Sequence, residues 1–237
     1  PFGGWTMKNI RTCCNIKRTI FCLDKRVHYN PCPMPITDSF KLLRVEVCGG
    51  IASGKTTFAA LLSDKRFNPL LEDFRSNPFW VAFYSDPGKY IFETEVSFTL
   101  QHYHQVKKES ARGKINICDF SFLLDSAYAN VGLQGSQLST YLTVYEEIKR
   151  ELSPPLLVIH LNCDAETELK RIRFRGRDIE NPITLDFLNS LNLAVEKEVQ
   201  KAAEETRVIS VNSAQKNFAD IDDIKEEILN LMTTILL

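Results

Sequence analysis

Glycine and proline are scarce in this sequence of 237 residues, with ten of each. Their scarcity excludes a collagen-like chain and a disordered chain rich in Gly and Pro. The seven cysteines are also too few for a small secreted scaffold that disulfides hold together. The uncharged stretch after Glu227 has ten residues, well short of the roughly 18 apolar residues that a membrane-spanning helix requires. We therefore expect no membrane partner.

Neither sign of charge dominates the chain, because 29 Lys and Arg residues stand against 30 Asp and Glu residues. Such a chain lacks the basic field that attracts nucleic acids, so we expect no nucleic-acid partner. The sequence does have a large apolar fraction, 44% of its residues, which is enough for a sizeable core. Its length favours one main domain.

The first 37 residues differ from the rest in composition, with six Lys or Arg residues, one acid and no Ser. Four of the seven cysteines fall in this part, at Cys13, Cys14, Cys22 and Cys32. Their spacing lacks the paired C-x₂-C pattern of zinc sites, so we favour an accessory or poorly ordered segment over a metal site. We predict that this segment covers residues 1–40 and that the main domain covers residues 41–237.

The predicted location of the protein depends on the nature of this first segment. A basic, acid-poor start is typical of mitochondrial transit peptides, but the lack of Ser and the several Pro residues argue against one. We predict a cytoplasmic protein, with a mitochondrial location as the alternative if residues 1–37 are a transit segment.

Short apolar runs alternate with longer helical patterns from residue 42 onward, which predicts an α/β fold with a parallel sheet wrapped by helices. The predicted strands are 42–48, 114–119, 156–162 and 207–211. The predicted helices are 55–62, 89–112, 121–130, 139–152, 166–175, 185–205 and 221–236.

The strongest chemical signal is the sequence GGIASGKT at residues 49–56, which matches the phosphate-loop pattern G-x-x-x-x-G-K-[ST] at every fixed position. A chance glycine-rich turn is the alternative, but it does not explain the Lys-Thr pair at the start of a predicted helix. The backbone N–H groups and Lys55 would bind the phosphates of a nucleoside triphosphate, and Thr56 would ligate Mg²⁺. The predicted nucleotide-binding residues are Gly49, Gly50, Ile51, Ala52, Ser53, Gly54, Lys55, Thr56 and Thr57.

The predicted helix 89–112 carries a polar stripe. Six polar side chains recur at steps of three or four residues and so share one face. They are Tyr90, Thr94, Ser97, Gln101, His104 and Lys108. A solvated face is the simple alternative, but Gln and Tyr are unusual choices for one, and apolar residues flank the stripe. We therefore interpret the stripe as facing a polar site.

Ordered motifs follow the phosphate loop along the chain: Glu72 five residues before Asn77-Pro78, FYSDP at 83–87 with Tyr90, Gln101, DFS at 119–121 with Asp125, and RIRFRGRDIE at 171–180. With these motifs, residues 45 to about 212 resemble the deoxynucleoside kinases, a family of P-loop kinases. The resemblance implies a three-layer fold with a five-stranded parallel sheet flanked by helices, and a homodimer. It also implies transfer of the γ-phosphoryl group of ATP, with Mg²⁺, to the 5′-hydroxyl of a deoxynucleoside, a step of nucleotide salvage.

The resemblance also implies how the nucleoside is bound. Glu72, just past a short strand, would be the general base that accepts the proton of the 5′-hydroxyl group. Gln101 would pair with the edge of the base, and Asp125 would help to read its exocyclic amino group. Lys108 stands where the family often has an Arg near the base.

The sugar and the metal have their own implied residues. Trp80 would pack on the sugar and the base, and Tyr90 with Glu180 would hold the sugar 3′-hydroxyl group. Asp119, at the end of a predicted strand, would approach Mg²⁺ opposite Thr56. An N-terminal cap for the next helix is the alternative role of Asp119.

The basic run at residues 170–177 resembles the mobile lid that covers the phosphates in this family. Arg171 and Arg175 would contact ATP, and Arg175 and Arg177 would act with Lys55 as catalytic cations on the transferring phosphoryl group. A solvated helix face is the alternative interpretation of so many charges.

The sequence departs from the family pattern at Phe120, where the family has an Arg that pairs with the catalytic Glu. We expect the loss of this cation to raise the pKa of Glu72, with Lys108 as the candidate replacement. The departure leaves a second interpretation open, a kinase-like binding or structural subunit without activity. A third is a nucleoside monophosphate kinase, which would use cations such as Arg75 and Arg112 to bind the acceptor phosphate.

The preferred base follows from Asp125, whose carboxylate can only accept hydrogen bonds and so favours a base with an exocyclic amino group. Thymine lacks that group. We therefore expect purine deoxynucleosides or deoxycytidine to be preferred over thymidine. The small Ala129, one helical turn after Asp125, slightly favours purines.

Overall fold

The computed structural model describes residues 43–63, 65–108, 114–215, 230 and 234. All of them belong to one unit of the chain, Ser39–Leu237. The predicted segment 1–40 with its four cysteines, Arg112, and all but two residues of the predicted helix 221–236 lie outside the described residues. The division of the chain into an accessory segment and a main domain therefore stays a prediction.

Five strands form one parallel sheet, which confirms the predicted α/β fold. The strands are β1 Arg44–Cys48, β2 Phe67–Leu70, β3 Ile115–Cys118, β4 Leu157–Asn162 and β5 Val208–Asn212. Their order in space is β2-β3-β1-β4-β5. Four of them match the predicted apolar runs closely, and β2 is the short strand expected before Glu72.

Helices connect these strands. Within the described ranges they are α1 Lys55–Leu61, α2 Trp80–Ser85, α3 Pro87–Lys108, α4 Phe122–Gly132, α5 Gly135–Leu152, α6 Ala165–Arg175 and α7 Leu185–Ala202. α2 was not predicted, because six residues are too few to show a helical period. α3 begins earlier than predicted because Pro87 suits the first helical position, where no backbone N–H donor is needed. α5 also begins earlier than predicted, because its exposed first turn has no apolar pattern.

Helices cover both faces of the sheet, which gives the three layers that were predicted. Side chains of a strand alternate between its two faces. Val45 and Val47 of β1 pack with Phe58 of α1 in one core cluster. Cys48 of β1 and Val158 of β4 pack in another cluster with residues of α4 and α7. In the part of the chain that the structure describes, no helix is long and apolar enough to cross a membrane.

A buried ion pair fastens two helices to β1. Arg44 Nε donates to Glu46 Oε1 over 2.8 Å, and both side chains are almost fully buried. The second carboxylate oxygen of Glu46 accepts from Ser121 Oγ and Phe122 N at the start of α4. Arg44 also donates to the carbonyl oxygen of Leu152 at the end of α5. The pair therefore fixes α4, and the pocket residues that α4 carries, relative to the sheet.

Replacement of Glu46 by Gln should destabilise the domain strongly. The substitution leaves the Arg44 guanidinium buried without its counter-charge, which costs about 3 kcal/mol of unfolding free energy or more. Urea unfolding, followed by circular dichroism, measures the loss.

The matched control is Glu147→Gln. Glu147 pairs with Arg150 on the exposed surface of α5, where an ion pair contributes little because water screens it. We expect the unfolding midpoint of this variant to stay at that of the parent protein. Similar losses in the two variants would contradict the role assigned to the buried pair.

Candidate active site

The carboxyl ends of three neighbouring strands meet at one edge of the sheet, where open parallel sheets bind ligands. β1 leads into the phosphate loop, β2 is followed by Glu72, and β3 is followed by Asp119. The backbone N–H of Glu72 donates to Asp119 Oδ1 over 2.5 Å, which joins two of these ends. The three strand ends line a pocket of about 500 Å³. Side chains from α2, α3, α4, α6 and the segment after α6 complete its lining.

The phosphate loop has the backbone that its glycines predict. Gly54 has a φ of 103°, which glycine adopts without steric cost, and α1 begins at the next residue. A Cβ atom on Gly50 would lie 2.1 Å from Glu168 Oε1 and 2.5 Å from Asn192 Oδ1, so a larger residue there would require both side chains to move. Lys55 Nζ donates to the carbonyl oxygens of Gly49 and Gly50 over 2.9 and 2.8 Å. With the N–H groups of the first turn of α1, this ammonium group makes a site for phosphate oxygens.

Thr56 and Asp119, the predicted metal ligands, meet beside the loop, where the Thr56 hydroxyl donates to the Asp119 carboxylate. Burial raises the pKa of Asp119, although this hydrogen bond and the one from Glu72 N–H oppose the shift. Mg²⁺ prefers oxygen ligands and commonly combines one or two protein ligands with phosphate oxygens and water. The hydroxyl and the carboxylate therefore fit the predicted Mg²⁺ ion.

His102 of α3 is a residue of this pocket that the sequence analysis missed. Its buried ring lies between two carboxylates, with Nδ1 2.9 Å from Asp125 Oδ2 and Nε2 3.0 Å from Glu72 Oε1. Burial opposes a charge on the ring, but Asp125 and Glu72 raise the pKa of His102 to about 10. At neutral pH both ring nitrogens therefore carry a proton, and both donate to a carboxylate.

Glu72 is ionised as a consequence. Burial alone would raise its pKa, but the hydrogen bond and the charge of His102, with the charge of Lys55, hold the pKa of Glu72 below its ordinary value. Its side chain is 30% exposed, so the carboxylate is accessible from the pocket. An ionised carboxylate in this position can accept a hydrogen bond and then the proton of a bound hydroxyl group.

Phe120 supports the charged ring. Its side chain stacks on His102 with the ring centroids 4.2 Å apart and the planes inclined by 5°, an arrangement in which an aromatic face attracts a cation. The expectation that Phe120 leaves Glu72 without a cationic partner and with a raised pKa is therefore wrong, because α3 supplies the cation. Lys108, the expected replacement, is exposed and lines a second groove beside α3, which shares Glu72 and His102 with the pocket.

Of the polar stripe predicted on α3, only Thr94 is among the described residues that line this pocket. Four other members line the second groove, namely Ser97, Gln101, His104 and Lys108. The face that lines the pocket carries Thr94, Glu95, Phe98 and His102. Glu95 and His102 are two helical turns apart, so they share one face of α3. Two ionisable residues within this otherwise apolar flank were the signal in the sequence that could have identified the pocket-lining face.

Three of the residues implied for the nucleoside do lie in the pocket with Glu72. They are Trp80, Asp125 and Glu180. Tyr90 is not among the residues that line it. Tyr84 of α2 lines it instead, with its ring set edgewise against Trp80 at a centroid distance of 5.7 Å.

The basic run over the end of α6 and the residues after it places the side chains of Arg171, Arg175 and Arg177 in the pocket that the phosphate loop also lines. Arg175 Nε and Nη2 each donate to a carboxylate oxygen of Glu180 over 2.7 Å, and Arg177 Nη1 adds a contact of 3.3 Å. Arg171 donates to the carbonyl oxygen of Ala52 over 3.3 Å, which connects α6 to the phosphate loop. The pocket thus has cations at one end, while Glu72, Glu95 and Asp125 stand around His102 at the other.

Replacement of His102 by Gln should lower stability in a pH-dependent way. The pKa of His102 is raised from 6.5 to about 10 in the folded protein, so its stabilising effect is complete below pH 6.5 and is lost as the pH rises through 10. We expect the unfolding free energy to fall by about 3 kcal/mol at pH 6 and by much less at pH 10. Urea titrations over this range measure both differences.

His104→Gln is the control for this substitution. His104 lies on the same helix but is exposed, so its replacement should change stability little at any pH. Equal losses for His102→Gln at pH 6 and pH 10 would show that the buried ring carries no charge.

Comparisons with known proteins identify the family of the chain. The sequence profile of the family described as deoxynucleoside kinase matches residues 45–237. Deoxyguanosine kinase of Bacillus subtilis (strain 168) is 29% identical over 182 residues, which cover 73% of this chain and 88% of that protein. Deoxyadenosine kinase of Dictyostelium discoideum is 26% identical over 190 residues, which cover 78% of this chain and 77% of that protein.

A solved structure shows the same fold. Deoxyadenosine kinase from M. mycoides with bound dCTP superposes with a TM-score of 0.68 at 21% identity, covering 81% of this chain and all of that chain. The likeness shows that the two chains share the fold. Because the family profile spans most of the sequence as well, the chain belongs to the deoxynucleoside kinase family.

Proposed function

We propose that this kinase phosphorylates the 5′-hydroxyl of a purine deoxynucleoside or of deoxycytidine in preference to thymidine, with ATP as the donor and Glu72 as the general base. The observation that carries the proposal is the position of Glu72. It is ionised and partly exposed, and it lines the same pocket as the phosphate loop and several aromatic side chains. A hydroxyl group held there would have its proton beside a carboxylate and its oxygen beside the phosphates.

The cationic end of the pocket would serve ATP. Lys55 and the N–H groups of the phosphate loop would bind the β- and γ-phosphate oxygens. Arg175 and Arg177, which Glu180 holds in place, would neutralise charge on the transferring phosphoryl group. Thr56 and Asp119 would hold Mg²⁺, which supplies further neutralisation of the phosphates when it is bound.

The acceptor end of the pocket favours a neutral acceptor. The carboxyl groups of Glu72, Glu95 and Asp125 stand there, and His102 is already shared by two of them. An acceptor that carries a phosphate group would need free cations at this place. Arg75 does not line the pocket within the part of the chain that the structure describes. A nucleoside therefore fits better than a nucleoside monophosphate.

The inactive-subunit interpretation loses its basis in the structure. It rested on Phe120 and on a Glu72 without a cationic partner, whereas His102 supplies that partner.

The names of the relatives favour a purine, since they are kinases of deoxyguanosine and deoxyadenosine. The M. mycoides structures with dCTP and dCMP keep deoxycytidine in the proposal. The homodimer, the cytoplasmic location and the role in salvage stay predictions.

A screen of the four deoxynucleosides tests the proposal. At equal ATP and Mg²⁺ we expect kcat/KM for at least one purine deoxynucleoside or for deoxycytidine to exceed that for thymidine by about tenfold or more, because thymine has no exocyclic amino donor for Asp125. Nucleotide products are measured by chromatography.

Lys55→Ala serves as the background, because removal of the phosphate-binding ammonium group should abolish turnover. Thymidine in first place would contradict the base preference. Equal rates in this variant and in the parent protein would mean that the measured activity comes from a contaminating enzyme and not from this kinase.

Replacement of Glu72 by Gln should reduce kcat by roughly 10² to 10⁴, since an amide cannot accept the hydroxyl proton. The KM of the nucleoside should change much less, because the amide keeps the shape and one hydrogen-bond acceptor. Steady-state kinetics with the preferred nucleoside separates the two effects. Asp73→Asn, an equivalent change at the next, exposed residue, should leave kcat at the parent value. A rise in KM with kcat intact in Glu72→Gln would reduce Glu72 to a substrate ligand.

A further inference from the structure

Gly50 is a glycine that the phosphate-loop motif does not require. It stands at one of the variable positions of the pattern G-x-x-x-x-G-K-[ST]. Unlike Gly54, it does not have a positive φ, so its backbone conformation is open to other residues as well. The reason for a glycine at this position therefore lies in its neighbours.

Glu168 and Asn192 fill the place that a side chain at position 50 would take. A Cβ atom on Gly50 would overlap Glu168 Oε1 and Asn192 Oδ1. Glu168 belongs to α6 and is fully buried, and Asn192 belongs to α7. Asn192 Nδ2 donates to Glu168 Oε2 over 3.0 Å and to the carbonyl oxygen of Cys163, the residue after β4, over 3.2 Å. Neither Glu168 nor Asn192 is among the described residues that line the pocket, so they contact the loop from outside it.

Stability does not explain a carboxyl group at this place. Glu168 Oε1 has no hydrogen-bond partner among the described residues, and a buried polar atom without a partner costs free energy. Burial also raises the pKa of Glu168 to about 7, although the hydrogen bond from Asn192 and the charge of Lys55 oppose the shift. An apolar side chain of similar size would avoid both costs. Departures of this kind from the rules of stable packing are typical of functional sites.

One face of α6 contacts the phosphate loop twice and then reaches the pocket. Side chains three and four residues apart share a helix face, so Glu168, Arg171 and Arg175 follow one another along it. Glu168 contacts the loop at Gly50. Arg171 donates to the carbonyl oxygen of Ala52 over 3.3 Å. Arg175 lines the pocket one turn further on. A single helix therefore joins the loop to a cation proposed to act on the transferring phosphoryl group.

We propose that Glu168 and Asn192 are positioning residues that hold the phosphate loop in the conformation that binds ATP. The inference rests on the proposed function, because it takes ATP as the ligand of the loop. The carbonyl oxygen of Gly50 accepts a hydrogen bond from Lys55 Nζ over 2.8 Å. Glu168 thus supports the residue that orients the phosphate-binding ammonium group. The support depends on the length of the Glu168 side chain and on its acceptor for Asn192, so an amide can supply it as well as a carboxylate.

Steady-state kinetics of Glu168→Ala tests the inference. The loop loses its support in this variant, and we expect the KM of ATP to rise by about tenfold or more. The KM of the nucleoside should stay at the parent value, since Glu168 is not among the described residues that line the pocket. Glu168→Gln keeps the length and the acceptor, so it should keep the parent KM of ATP. A merely structural role would reduce the folded fraction, and so kcat, with both KM values unchanged.

Two further substitutions separate this role from general effects on α6. Glu166→Ala is the matched control, since Glu166 lies on the same helix but is exposed, and it should leave the KM of ATP unchanged. Asn192→Ala is a milder variant, because Asn192 is only half-buried. It removes the hydrogen bond that orients Glu168 and should also raise the KM of ATP. Combined with Glu168→Ala it should add little, because both substitutions remove the same support.

Gly50→Ala tests the contact between the loop and α6 directly. In the parent protein the added methyl group has to displace Glu168 and Asn192, and we expect the KM of ATP to rise by about tenfold or more. In Glu168→Ala the place of the carboxyl group is empty, so the same methyl group should raise the KM of ATP much less. The four proteins form a double-mutant cycle that measures the coupling of the two positions.

Titration calorimetry with ATP and Mg²⁺ repeats these comparisons without turnover, and circular dichroism verifies that each variant is folded. An equal effect of Gly50→Ala in the two backgrounds would overturn the inference alone. A parent value for the KM of ATP in Glu168→Ala or in Asn192→Ala would do the same. Absence of ATP binding and of turnover in the parent protein would overturn the proposed function and the inference together.

Discussion

The charged ring of His102 is the constraint on which the rest of the site depends. Three carboxyl groups, Glu72, Glu95 and Asp125, stand close together in the pocket, and Glu95 and Asp125 are buried. Ionised carboxylates repel one another there, and burial penalises each of them. One imidazolium group bonded to two of them makes the cluster stable, and it leaves Glu72 ionised. Burial and the charge of Asp125 raise the pKa of Glu95 and favour its neutral form, although the charge of His102 opposes this shift.

This arrangement explains why an apolar residue at position 120 is compatible with an active site. A cation at the end of β3 would approach Glu72 along the sheet edge, whereas His102 approaches it from α3. The face of Phe120 then becomes useful, because it stacks on the charged ring and excludes water from its ion pairs. Positions 120 and 102 therefore have to be considered together. Phe120 alone offers no cation to Glu72, and a buried charged ring at position 102 needs the neighbours that stabilise it.

The sequence was sufficient for the fold and for the phosphate-binding half of the site. The strands have clear apolar runs, and the phosphate loop is a local motif whose residues act through their own backbone. The nucleoside half could not be predicted equally well, because it depends on which face of α3 turns inward. The stripe through Gln101 and the face through His102 differ by a rotation of about 100°, and tertiary packing decides between them. The partner of Glu72 was missed for the same reason: it is distant in sequence and lies on another element.

The distribution of charge along the pocket also affects substrate binding and product release in the proposed reaction. Lys55, Arg175 and Arg177 form a cationic end, and the carboxyl groups around His102 form an acidic end. A nucleoside enters the acidic end without charge and so avoids repulsion from Glu72. After phosphoryl transfer Glu72 holds the hydroxyl proton; once that proton is lost to solvent, the carboxylate stands next to the new phosphate group, while ADP has lost the group that the cations held. Both changes weaken binding at the end where each product lies. The separation of charge that excludes an anionic acceptor thus also favours the release of an anionic product.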